Sequence, residues 1–262
     1  MDNTFARYLS QEKGLSDNTV KAYSATLRAY RRWLGGRPDA PEVAVKYIAR
    51  FNTDSTRAVV ASALRTYFAW SKPSTPLRVR VKLGHSLPAP LSRGQLWLLV
   101  RTAEGTLKLL ILLMAFAGLR ISEACSLKTS ALVEEAQAIR LIGKGRRERL
   151  ISQLPASLYQ ALKEHAQGKR QGGAMFPGRG SYTHISASAV QHAVHALGEH
   201  IHIPDVHPHR LRHTYATWLY ALTTDPFLVA RQMGHTDPKV TMGYAGLVQL
   251  PPGIHTLDDL FK

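Results

Sequence analysis

Only one cysteine, Cys125, occurs among the 262 residues. An intrachain disulfide is therefore impossible, and the composition points to a reducing, cytoplasmic setting. The chain also lacks a bilayer-length apolar run. Its longest, Leu109 to Leu119, is about half of what a spanning helix needs and is bounded by Lys108 and Arg120. It reads as a buried core helix. The opening stretch MDNTFARYLS has no basic segment followed by an apolar one, which argues against a secretory signal. Acidic residues are scarce: 18 Asp and Glu stand against 34 Lys and Arg, a formal net charge of +16 with a pI near 10.2. Such a surplus favours a polyanionic partner. The basic residues are spread through both halves and not gathered on one amphipathic helix, so nucleic acid fits better than an anionic membrane surface. A merely solvated basic surface is the competing interpretation.

No internal repeat or low-complexity segment is present. Residues 1 to 72 have a helical pattern throughout. Ser16 or Asp17 suits the start of a helix whose apolar positions Val20, Tyr23, Leu27, Tyr30 and Leu34 follow three-and-four spacing. Lys21, Arg28, Arg31 and Arg32 fill its other positions. A second helix from about Asp54 carries Val59, Val60, Ala63, Leu64, Tyr67 and Phe68, and leaves Arg57 and Arg65 for solvent or phosphate. Residues 73 to 90 then hold prolines, Gly84 and the alternating run from Leu77 to Lys82, which excludes a helix and reads as a basic linker. Arg78, Arg80 and Lys82 are its candidate phosphate contacts. From residue 91 a second domain begins, with Ser92 capping a helix around Leu96 to Val100 and an apolar helix over Leu107 to Ala117 stopped by Gly118. Strands over Ala138 to Ile142 and Arg147 to Ile151 flank the tight turn Gly143-Lys144-Gly145. Helices resume afterwards.

Five pieces of the second domain stand in a particular order. They are Gly118-Leu119-Arg120-Ile121-Ser122-Glu123, Lys144 in its glycine turn, Pro208-His209-Arg210-Leu211-Arg212-His213-Thr214, Met233-Gly234-His235, and Thr241-Met242-Gly243-Tyr244. Together they resemble the tyrosine recombinase and phage integrase family, in its two-domain, Xer-like form. That pattern is Arg, Lys, His-x-x-Arg, Gly-His, and then Tyr about nine residues on. The stretch from Leu15 to Tyr23 resembles the start of the family's helical DNA-clamping domain. The resemblance implies a mainly α fold: a SAM-like DNA-binding bundle over residues 1–72, a linker over 73–90, and a mostly helical catalytic domain with a small antiparallel sheet over 91–262.

Each residue also has a physical reason to be considered, and a plainer alternative. Arg120 follows the helix-stopping Gly118 and begins a short helix, where free amides favour an anion that a planar guanidinium can grip through two oxygens. The alternative is an ion pair with Glu123, one turn along; the resemblance assigns phosphate binding to Arg120, with Glu123 orienting it. His209 and Arg212, three apart, point away from the stripe Leu211, Tyr215, Trp218 and Leu222, and are expected to reach one solvent-facing cleft. A zinc pair of His209 and His213 is the rival, disfavoured because Arg210 stands where a zincin has its glutamate. In isolation, Lys144 reads as a surface lysine and His235 as a capping histidine at the helix end made by Gly234. By resemblance, Lys144 protonates the leaving 5′ oxygen, His235 hydrogen-bonds the scissile phosphate and Tyr244 is the nucleophile, with His209 as its base. The family usually has a histidine two residues after that tyrosine; Gly246 occupies the place here.

The implied reaction proceeds through a 3′-phosphotyrosyl link and needs no metal or nucleotide cofactor, since fixed cations stabilise the phosphate. Partners implied are double-stranded DNA, clamped between the two domains, and further copies of the chain in a DNA-bound tetramer. A non-catalytic DNA-binding regulator and a metal-dependent hydrolase are the rival readings. The lack of sequence before residue 1 argues against large integrases with a separate arm-binding domain. Pro251-Pro252-Gly253 sets off a tail, 251–262, in which Leu257, Leu260 and Phe261 share one helical face. Docking of that tail on a neighbouring protomer, or packing in cis, are both open.

Overall fold

The computed structural model describes residues 3–81, 89–142, 148–178 and 184–234. They divide into two compact units, residues 1–86 and 87–262.

In the first unit, α1 (Asn3–Arg7) runs into a single π turn over Tyr8–Glu12, followed by α2 (Asp17–Leu34), α3 (Pro41–Ala49) and α4 (Asp54–Ser71). Local chemistry sets these bounds. The Ser16 hydroxyl accepts from the Thr19 amide to cap α2, Gly35 ends it at φ 49°, Pro41 opens α3, and the Thr53 hydroxyl caps α4. Leu27, Tyr30 and Leu34 of α2 pack on Tyr47 and Ile48 of α3 and on Val60, Leu64, Tyr67 and Phe68 of α4. The expected stripe of α4 is right except at Val59, which is 49% exposed. Helical rotation puts Ala61 inside in its stead. Beyond α4 the chain continues in period two: Leu77 is buried and Val79 and Val81 are half-buried against this core, while Arg78 and Arg80 face out. Asp39 ties the unit together, accepting from the Tyr30 hydroxyl at 3.1 Å and the Tyr67 hydroxyl at 2.7 Å and pairing with Lys72 at 3.4 Å.

The second unit begins with α5 (Arg93–Thr102), whose cap Ser92 and third residue Gln95 form a reciprocal capping box. Helix α6 (Gly105–Phe116) is buried continuously from Leu110 to Phe116 and lies against α10 (Pro208–Thr223), buried continuously from Leu211 to Leu219. Between them in sequence come α7 (Ile121–Cys125), strands β1 (Leu132–Val133), β2 (Ala138–Ile142) and β3 (Glu148–Ile151), α8 (Ala156–Ala166) and α9 (Ala187–His200). Helix α11 (Pro226–Met233) follows α10. The strands form an antiparallel sheet in the order β1-β2-β3, with Ile139 opposite Ile151 and Arg140 opposite Leu150. β1 is too short to have left a signal in the sequence. Gly118, at φ 64°, makes the corner between α6 and α7. A Cβ there would lie 2.4 Å from a ring carbon of Tyr215, so both the turn and the close approach require glycine.

Candidate active site

The corner at Gly118 and the end of α11 meet, and arginines occupy the junction. Arg120 is the N-cap residue of α7. The Glu123 side chain reaches back to it twice: Glu123 Oε2 accepts from the Arg120 amide at 2.7 Å, and Oε1 accepts from Arg120 Nη1 at 3.0 Å. Arg120 Nη2 also donates to the Gly234 carbonyl at 3.3 Å. Its side chain nevertheless stays 46% exposed. The ion pair with Glu123 therefore exists, and it leaves the guanidinium at the surface.

Arg212 differs from expectation. It is 3% exposed, not in an open cleft with His209. Its two terminal nitrogens donate to the carbonyls of Gly118 and Met233, and Glu123 lies 3.8 Å away. The physical reason is that α6 and α11 both end here, leaving carbonyls without helical partners, and a planar fork satisfies both. His209, one turn earlier on α10, is exposed, while His213 is buried, so these two histidines do not share an open face. His207 caps α10, its Nδ1 accepting from the Arg210 amide at 3.2 Å. Although the residue as a whole is exposed, partial desolvation of its ring and the nearby charges of Arg212, His207 and Arg120 lower the His209 pKa below the ordinary imidazole value, which favours the neutral ring.

A third arginine joins the cluster that sequence reasoning passed over. Arg149 of β3 donates from Nη2 to Glu123 Oε2 at 2.9 Å and from Nη1 to the Met233 carbonyl at 2.6 Å. A signal for it was available: Ile151 points to the core, so strand alternation turns Arg149 inward as well, where a guanidinium needs a carboxylate. At Glu123, burial would raise the pKa. The Arg120 amide and the guanidiniums of Arg149, Arg120 and Arg212 outweigh it and hold the carboxyl below its usual range.

Lys144, His235, Tyr244, Gly246, Lys82 and the tail 251–262 lie outside the described residues. Their described neighbours are informative: Ile142 and Glu148, on either side of residues 143–147, pair at the end of the sheet, and Gly234 leads into residue 235 at φ 63°. Of the candidate phosphate contacts in the first unit, Lys21, Arg28, Arg65, Arg78 and Arg80 are exposed. Arg57 is instead engaged locally, donating to the Phe51 carbonyl at 2.6 Å and pairing with Asp54 at 3.1 Å.

Residues 91–249 match the model of the phage integrase family, and residues 3–73 match that of the phage integrase N-terminal SAM-like domain. The tyrosine recombinase XerC of Xanthomonas axonopodis pv. citri is 30% identical over 284 residues, covering 93% of this chain and 90% of that protein. The tyrosine recombinase XerA of Thermococcus onnurineus is 28% identical over 254 residues, covering 92% and 88%. In fold, the chain resembles the XerH site-specific recombinase bound to palindromic difH substrate in a post-cleavage complex, with a TM-score of 0.70 and 18% identity over 86% of this chain and 75% of that one. It also resembles the Tn1549 transposon integrase in complex with transposon right end DNA, with a TM-score of 0.71 and 19% identity over 92% of each chain.

Proposed function

The chain belongs to the phage integrase family, and from that premise we propose that it is a site-specific DNA recombinase whose nucleophile is Tyr244. It breaks and rejoins strands of double-stranded DNA. In cleavage, the Tyr244 hydroxyl oxygen attacks the scissile phosphorus while the bond to the 5′ oxygen breaks. His209 takes the phenol proton and Lys144 supplies one to the leaving oxygen. A free phenol titrates near 10, so a neutral imidazole held beside guanidiniums is the kind of base the step needs. In rejoining, the 5′ hydroxyl of a partner strand attacks the 3′-phosphotyrosyl link and the protons return. The phosphodiester bond energy stays in that link throughout.

The observation that carries this reading is the charge imbalance at Glu123. Three guanidiniums, those of Arg120, Arg149 and Arg212, surround one carboxylate. Arg120 stands at the rim with an exposed fork, beside the carbonyl of Gly234, the residue before His235. A phosphate completes the balance, with Arg120 on its non-bridging oxygens, His235 as a further donor, and buried Arg212 adding positive charge from behind. The exposed cations Lys21, Arg28, Arg65, Arg78 and Arg80 follow the duplex backbone. Exchange between two duplexes needs four nucleophiles, so the working form is a tetramer on DNA, testable by the mass of the DNA-bound complex. A reducing cytoplasm suits the single buried Cys125.

The decisive experiment maps protein-linked break points across the source DNA and then offers a nicked duplex of the mapped site. The unsubstituted chain should become covalently attached. Tyr244→Phe should lose attachment entirely while keeping nearly full DNA affinity, because only the attacking oxygen is gone. Attachment in that variant would move the nucleophile elsewhere, and binding without attachment by the unsubstituted chain would make it a regulator.

A further inference from the structure

Arg149 has no part in the reaction just described, yet its side chain is only 12% exposed. Withdrawing a guanidinium from water is unfavourable by several kcal/mol unless its surroundings compensate, and here they do so at three points. Nη2 donates to Glu123 Oε2, the same oxygen that accepts from the Arg120 amide. Nη1 donates to the Met233 carbonyl, which also accepts from Arg212. The face of the group rests on Gly234, where a Cβ would fall 2.0 Å from Nη1. Gly234 is thus required twice, by its φ of 63° and by the arginine lying across it. Arg120 Nη2 on the Gly234 carbonyl closes the ring. The circuit runs Arg120, Glu123, Arg149, Met233-Gly234 and back to Arg120.

Resting on the strand-cleavage reading above, we propose that Arg149 is a positioning residue for that reaction: it clamps Glu123 to the end of α11 and so fixes Arg120 relative to the corner that leads to residue 235. Glu123 alone orients Arg120 only against its own short helix, α7. Through Arg149 the same carboxylate is tied to a different element, 84 residues away from β3 in the chain at Met233. The task needs a fork with two donors at a fixed angle, which a lysine ammonium does not provide. A misplacement of about 1 Å in a positioning group can slow a reaction on the order of a hundredfold.

The test is single-turnover cleavage of the nicked duplex by the full-length chain, with DNA affinity and urea unfolding measured beside it. Arg149→Lys should cleave about tenfold to a hundredfold more slowly, at unchanged DNA affinity and with the protein fully folded. In an Arg120→Lys background the same substitution should add little, because Arg149 acts through Arg120. A purely structural role predicts cleavage falling only with the folded fraction, and equal fold losses in both backgrounds; either result overturns the proposal, as does normal cleavage by Arg149→Lys. Should Arg149→Lys fold poorly, Gly234→Ala probes the clamp from the other side: without changing charge, its methyl both strains the φ of 63° and displaces the guanidinium, and only the second part depends on Arg149. Its loss of cleavage should shrink when Arg149 is already absent, and undiminished loss overturns the clamp. If the unsubstituted chain never links to DNA, the function proposed above fails; if it does and these variants match it, only the clamp fails.

Discussion

Asp39 in the first unit and Glu123 in the second are both partly buried carboxylates that join separate elements, and they are satisfied by different chemistry. Asp39 accepts from two tyrosine hydroxyls and one lysine. Its donors leave one positive against one negative charge, a balanced joint between α2, α4 and the residue that follows α4. Glu123 faces three arginines and leaves two positive charges over. Crowding like charges at a helix corner does nothing for folding by itself. The comparison separates a carboxylate that stabilises from one that organises cations for an anion still to come, and substitutions on the two sides should separate in what they damage.

The largest separation is expected at the arginines. Arg120→Lys and Arg212→Lys should each slow single-turnover cleavage on the order of a hundredfold or more, because an ammonium reproduces neither the two-oxygen grip of Arg120 on a phosphate nor the fork by which Arg212 holds the Gly118 and Met233 carbonyls. Arg120 is half exposed, so its replacement should barely move the urea midpoint, whereas that of buried Arg212 should also cost a few kcal/mol, roughly, in stability. Near-normal cleavage by either variant removes the functional half of the comparison.

A smaller separation divides the carboxylates themselves. Glu123→Gln presents an amide donor to a ring of donors, and should slow cleavage about tenfold with the fold retained. Asp39→Asn should do the reverse, lowering unfolding free energy by about 1–3 kcal/mol as a tyrosine hydroxyl or Lys72 loses its acceptor, while the folded protein cleaves at its usual rate. Equal losses of stability and equal losses of rate at the two positions would show that the contrast is one of location only.

Most of this architecture was legible in the sequence where the physics is local. Ser16, Ser92 and Gly118 announce helix ends through side-chain caps and a left-handed turn, and the α2 stripe follows from spacing alone. The motif order singles out Arg120, His209 and Arg212 as candidates, and the structure brings Arg120 and Arg212 to one carboxylate, that of Glu123. What spacing does not encode is which carbonyls a side chain finds after the chain has folded. Arg212 reads as a cleft residue on a helical wheel, and only the meeting of the ends of α6 and α11 buries it. Arg149 was hidden for a similar reason: its partners come from Glu123 and from Met233, and it stands in a basic stretch, Lys144 to Arg149, where one more arginine draws no notice.

The finest distinction is in pH dependence, which the surplus of cations should impose on the second unit. Residues 1–86 contain a single histidine, His85, so imidazole titration reports chiefly on the other unit. His209 has its folded pKa lowered first by partial desolvation of its ring and then by Arg212, His207 and Arg120. Between that lowered value and the ordinary imidazole value the unfolded chain binds more protons than the folded one, so stability rises with pH across the window and is lost on acidification through it. Glu123 acts in the same sense further down: its contribution is present above the ordinary carboxylate value and is lost as pH falls through its depressed folded value. For the reaction, a base held neutral in this way keeps working below the pH at which a free histidine would be protonated. The acid limb of the cleavage rate should therefore fall at a pH below the ordinary imidazole value. His207→Asn retains an acceptor for the Arg210 amide, so α10 stays capped, yet it removes one of the neighbours that depress His209. Its acid limb should move upward, and the imidazole C–H shifts of His209 in NMR should titrate with it. An acid limb at or above the ordinary imidazole value in the unsubstituted protein would mean that the cations around Glu123 do not reach the base, and that their surplus serves the phosphate alone.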